Sequence, residues 1–170
     1  VKYSGGGFYY DGALHIFDYG HLAYHSIELR NQFLNDRYYS LGNENYFAFG
    51  EDLFGNHFVY YSKGVGLLHI ETGEVEFISK AFDGAMRAVI EEPDYYLGYG
   101  LLKSWENVHG NEVLLPNVRL GAKIPCILGG DYTVDNLKNV PYDRLVEFSF
   151  SIARQIYDSP DGQEFQIVIE

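Results

Sequence analysis

The sequence predicts an α+β domain, an antiparallel sheet of about four to six strands with helices packed on it. Three observations carry this expectation. Aromatic and β-branched runs crowd the first half of the chain, separated by short glycine-bearing links. Helical spacing of apolar residues then begins after Ser79 and returns after Asp143. No repeat of roughly 20–50 residues interrupts that order.

The elements follow in chain order. Residues 13–17 are a short apolar run entered by a turn at Asp11-Gly12, and residues 20–33 suit a loose helix through Leu22, Ile27, Leu29 and Phe33. Residues 46–49 and 57–61 are aromatic-rich strands joined across Glu51-Asp52-Leu53-Phe54-Gly55. Residues 65–70 and 75–78 continue the meander through the turn Glu71-Thr72-Gly73-Glu74, whose glycine supplies a positive φ. Ser79 is a candidate N-cap for a helix with Ala81, Phe82, Ala85, Ala88, Val89 and Ile90 on one face. Pro93 breaks that helix or starts another, over about residues 94–108. Residues 110–121 read as loop, 143–157 as a helix, and a closing strand alternates through Phe165, Ile167 and Ile169.

A chain of 170 residues with 46% hydrophobic and 21% charged side chains is ordinary for a globular protein. No apolar run is long enough to span a membrane, and no signal-peptide layout is visible at the start. The single cysteine, Cys126, excludes an internal disulfide and fits a cytoplasmic location. Twelve basic against 24 acidic residues give a net charge of -12. Phosphate backbones are repelled by such a surface, so nucleic acid is not the expected partner, whereas a basic protein is drawn to it.

No motif assembles a reaction. His21 and His25 stand four apart with His15 upstream, but no glutamate follows His21 as a zinc hydrolase requires. Cys126 sits in an Ile-Pro-Cys-Ile-Leu run and reads as a small hydrophobe rather than a nucleophile. Asp131 and Asp135 lack the remaining oxygen ligands and the glycine of a calcium loop, and suit capping better. Gly5-Gly6-Gly7 has no following Lys-Ser/Thr and leads into a strand, so it is no phosphate cradle. Glu51 and Asp52 are adjacent in an extended segment and point to opposite faces, which disfavours an acid/base pair. An enzyme built on Cys126 or on His15, His21 and His25 is therefore the least supported reading.

Several segments together resemble the SMI1/KNR4 family, the SUKH superfamily. Tyr46-Phe-Ala-Phe-Gly-Glu-Asp-Leu-Phe-Gly-Asn56 is similar to its strand–acidic turn–strand signature. His69-Ile-Glu-Thr-Gly-Glu-Val-Glu-Phe-Ile78 resembles its closing hairpin, and Ser79-Lys-Ala-Phe-Asp83 the entry to the next helix. Ser4-Gly5-Gly6 resembles the point where the family's N-terminal helices give way to the sheet. Those helices have no counterpart, so the chain is expected to start inside the domain. The likeness covers residues 1–92, the expected core, and residues 93–170 resemble an extension packed on the same domain.

The resemblance implies an α+β fold without catalysis, and an immunity-type role in binding and neutralising a cognate bacterial toxin, often a nuclease. The net charge of -12 suits a basic toxin domain, and no metal or cofactor is expected. The alternative the resemblance carries is a regulatory part in cell-wall or glucan synthesis, with exposed aromatics stacking on sugars. It transfers no site residues. The candidates for partner binding are acidic, polar and aromatic side chains of the two hairpins: Glu51, Asp52, Asn56, Tyr60, Glu74 and Glu76.

Overall fold

The computed structural model describes residues 6–19, 26–110 and 114–159. Within them six strands form one antiparallel sheet in sequence order: β1 (Gly7–Tyr9), β2 (Leu14–Ile16), β3 (Phe47–Glu51), β4 (His57–Tyr61), β5 (Gly64–Leu68) and β6 (Val75–Ser79). The α+β class is as the sequence predicts, and the meander from β3 to β6 uses the expected short links. A second sheet of two strands, β7 (Val118–Ala122) and β8 (Leu137–Pro141), pairs Leu120 with Asn139. Residues 110–121 are thus not all loop.

Among the described residues five α-helices cover the sheet. On one face, α1 (Ile27–Gly42) and α5 (Tyr142–Ile156) close a core containing Leu34, Tyr38, Ala48, Val59, Leu68, Val146 and Ala153. On the other, α2 (Phe82–Glu91), α3 (Pro93–Leu97) and α4 (Tyr99–His109) close a core around Phe58, Leu67, Val89, Leu97, Leu102 and Trp105. Period-2 alternation along β4 feeds both: Phe58 points into the second core and Val59 into the first. Residues 114–159 also feed both, through Leu120 and Leu137 on one side and Tyr142 and Val146 on the other.

α1 begins at Ser26, whose side chain accepts from the Leu29 amide, and ends at Asn43 in the left-handed conformation. Its inner face carries amides where apolar residues are usual. β2 is too short to pair with the start of β3, so Asn31 and Asn35 substitute for a strand. Asn31 donates to the Ala48 carbonyl at 2.8 Å and accepts from the Ala48 amide at 2.7 Å. Asn35 does the same with Tyr46, at 2.8 and 3.2 Å. The i, i+4 spacing of the asparagines matches the two-residue repeat of the strand and gives the peptide groups of Tyr46 and Ala48 partners there.

The helix expected over about residues 94–108 is two. Gly98 adopts φ 68° between α3 and α4, a left-handed turn that a continuous helix cannot contain. Ser79 does not cap α2 directly: its hydroxyl accepts from the Ala81 amide, and Ala81 is the capping position. The helix expected over residues 20–33 lies partly outside the described residues. So do Ser4 and Gly5, His21, His25 and the closing strand through Phe165, Ile167 and Ile169. Among the described residues no helix is long and apolar enough to cross a membrane.

Candidate functional site

Glu51 ends β3, and the structure encloses it. Its neighbour across the ladder is His57 of β4 on one side and His15 of β2 on the other, all pointing to the α1–α5 face. Arg30 of α1 and Arg119 of β7 approach from above, and Tyr142 opens α5 beside them. His15, Glu51 and His57 are fully buried, and Arg30, Arg119 and Tyr142 nearly so.

The contacts are close and mutual. Arg119 Nη2 donates to Glu51 Oε1, and Arg30 Nη2 stands 3.7 Å from the same oxygen. His15 Nδ1 lies 3.0 Å from Glu51 Oε1 and 3.0 Å from Arg119 Nη2, so its tautomer decides which of the two it serves. His57 Nε2 is 2.8 Å from the Tyr142 hydroxyl and 3.9 Å from Glu51 Oε2. The Arg30 guanidinium stacks 3.3 Å from the Tyr142 ring centroid, and Phe8 stacks on His15 at 4.2 Å.

Burial alone would raise the Glu51 pKa, but Arg119, Arg30 and His15 outweigh it and hold the carboxyl well below its usual range. Burial pushes His57 down to about 4 and lowers His15, although Glu51 opposes both shifts. The centre is therefore two guanidiniums, one carboxylate and two neutral imidazoles. A His–Glu–His set resembles a metal site in composition. Here guanidiniums already stand on the cation side of the carboxylate, and a divalent ion would have to displace them.

Asp52, the next residue, faces the other way. Its Oδ1 accepts from the amides of Phe54 and Asn56, each at 2.8 Å, and its Oδ2 accepts from Asn56 Nδ2 at 2.8 Å. Asn56 Oδ1 in turn accepts from the Ile70 amide at 3.1 Å. Burial pushes Asp52 up to about 7 against those hydrogen bonds, with the Glu51 charge adding to the rise. The divergence expected for adjacent residues is thus what the strand produces, with one carboxylate on each side of the sheet.

The six partner-binding candidates fall in three places. Glu51, Asp52 and Asn56 are buried, which removes Glu51 from any surface contact, because a side chain at 0% exposure cannot meet a second protein. Tyr60 is exposed on the α2 side of the sheet, in an aromatic group with Phe47, Phe49 and Phe82. Glu74 is exposed in the β5–β6 turn and Glu76 half-buried on β6. Asp52, Asn56 and Glu76 do meet, along a groove of about 310 Å³ that Asp94, Tyr95 and Tyr132 also line.

Cys126 is half-buried and its thiol is pushed up by burial and by Glu71, the opposite of an activated nucleophile. Asp131 accepts from the Thr133 hydroxyl at 3.0 Å, a local turn contact. Sequence reasoning missed Arg30, His57, Arg119 and Tyr142. The available signal was polar residues set singly inside apolar strands, as in Val118-Arg119-Leu120.

No protein-family model matches the sequence, and no curated protein matches it. The fold is similar to the crystal structure of Atu4351 from Agrobacterium tumefaciens, with a TM-score of 0.54 at 15% identity. The match covers 88% of this chain and 71% of that one, and it is a likeness of fold.

Proposed function

We propose that this chain is a non-catalytic, cytoplasmic binding protein of the immunity type, which neutralises a basic bacterial toxin domain by covering it. The carrying observation is the rim formed by edge strand β6 with α2 and α3. Residues 74–97 hold six carboxylates against two basic side chains, Lys80 and Arg87. Phe77, Phe82, Ile90 and Tyr95 stand exposed among them, at 41–66%. Exposed aromatics amid one sign of charge are the composition of a surface that steers a basic partner and then anchors it.

The likeness of residues 1–92 to the SMI1/KNR4 family supports the same reading, and the buried polar centre supports its non-catalytic part. Glu51 Oε1 is held by Arg119 and His15, His57 by the Tyr142 hydroxyl, and Glu51, His15 and His57 are all buried away from any substrate. The test is co-expression with toxin domains encoded beside this gene, scored by host survival and by recovery of a stoichiometric complex. Rescue with a complex is the expected result; no rescue and no co-purifying polypeptide overturns the reading. The exposed Tyr60–Phe82 pair, stacked at 6.4 Å, favours the glucan-related role as a second reading. Glycan arrays without binding and an unchanged envelope on deletion would remove it.

A further inference from the structure

The groove that gathers Asp52 and Glu76 lies where four segments converge. The β3–β4 turn, the β5–β6 ladder, the α3–α4 junction at Gly98 and the loop at Tyr132 each contribute one wall. Leu67 and Leu101 supply apolar lining, and Tyr95 and Tyr132 supply aromatic lining. Three carboxylates line it, those of Asp52, Glu76 and Asp94, and no lysine or arginine does among the described residues.

The carboxylates are not equivalent. Asp52 is buried and engaged by three N–H donors, so it belongs to the wall of the groove and offers no free carboxylate oxygen pair. Asp94 accepts from the Gly100 amide at 2.9 Å and is held by that bond. Glu76 remains one-third exposed, with Oε1 receiving the Tyr95 hydroxyl at 3.1 Å and Oε2 lying 3.4 Å from His69 Nε2. A carboxylate beside a tyrosine, in a groove that leucines also line, matches one side chain best. A guanidinium can donate in pairs to the carboxylate while its plane lies on the ring, and its aliphatic stem covers the leucines. A lysine ammonium offers a point charge and no plane.

We infer that this groove takes a single arginine side chain of the basic partner, an assignment that rests on the toxin-binding reading above. The rim draws the partner in, and the arginine fixes its register on the sheet end.

The experiment is a ¹⁵N NMR titration of the full chain with N-acetyl-arginine amide, set against the uncharged isostere N-acetyl-citrulline amide. The arginine compound is expected to shift amides near Glu76, Tyr95 and Gly98, and the citrulline compound to leave them in place. Glu76→Gln and Tyr95→Ser, both at solvent-reached positions, are expected to weaken binding by about fivefold each. Equal binding of citrulline, or unchanged affinity in both variants, overturns the assignment. Toxin neutralised equally by wild type and by both variants, with no arginine-specific shifts, also overturns the groove and leaves the toxin reading standing. Arginine-specific shifts with no toxin neutralised support the groove and count against the toxin reading.

Discussion

Glu51 shows how much a single buried carboxylate can organise. Two guanidiniums converge on it from elements far apart in sequence, Arg30 from α1 and Arg119 from β7. Replacing Glu51 by Gln keeps the shape and removes the negative charge that both of them approach. Uncompensated buried charge of this kind costs about 3–5 kcal/mol. For a chain of this size the melting temperature should fall by roughly 6–20 °C in a thermal scan. A variant that melts with the wild type would mean that the arginines reach water by another route. Of this centre, the sequence made only Glu51 and His15 conspicuous. Across a hairpin with this turn, Glu51 must face His57, and that pairing was legible in principle. Arg30, Arg119 and Tyr142 were not, because they arrive from segments whose distance in sequence carries no information about contact.

At the scale of elements, Gly98 decides the course of the α2–α3–α4 layer. It sits at φ +68°, and a Cβ added there would come within 2.5 Å of the Phe54 ring. Gly98→Ala therefore meets backbone strain and a clash with the groove-lining turn together, and is expected to destabilise the chain by about 1–3 kcal/mol. Denaturant titration would report it as a lower midpoint with an unchanged slope. The strands β3 to β6 and the helices α2 and α5 were legible because aromatic runs, turn glycines and helical spacing all agree there. α1 was obscured because Arg30, Asn31 and Asn35 occupy its inner face, where apolar residues would have marked it. β7 and β8 were hidden for a related reason. Both are short and carry a charge or a glycine, as in Val118-Arg119-Leu120-Gly121-Ala122, so neither shows a clean alternation.

Across the whole molecule, the two sides of the sheet respond to acid in opposite senses. On the α1–α5 side, His57 titrates near 4 when folded and near its ordinary 6.5 when unfolded. Its contribution is complete above about pH 6.5 and is lost as pH falls towards 4, and His15 shifts the same way. On the other side, Asp52 titrates near 7 when folded against 3.8 unfolded, so its contribution grows as pH falls through the same window. The two terms offset each other, and stability should stay nearly flat between about pH 6.5 and 4.5. Below about pH 4.5 the unfolded chain takes up a proton at Glu51 that the folded chain refuses, so stability then drops. Asp52→Asn separates these terms, because it removes the opposing carboxyl and leaves the imidazoles. In that variant about 3 kcal/mol should be lost between pH 6.5 and 4, the equivalent of the His57 shift. Urea midpoints at half-unit pH steps measure both curves, and parallel profiles for wild type and Asp52→Asn would refute the opposition between the two faces.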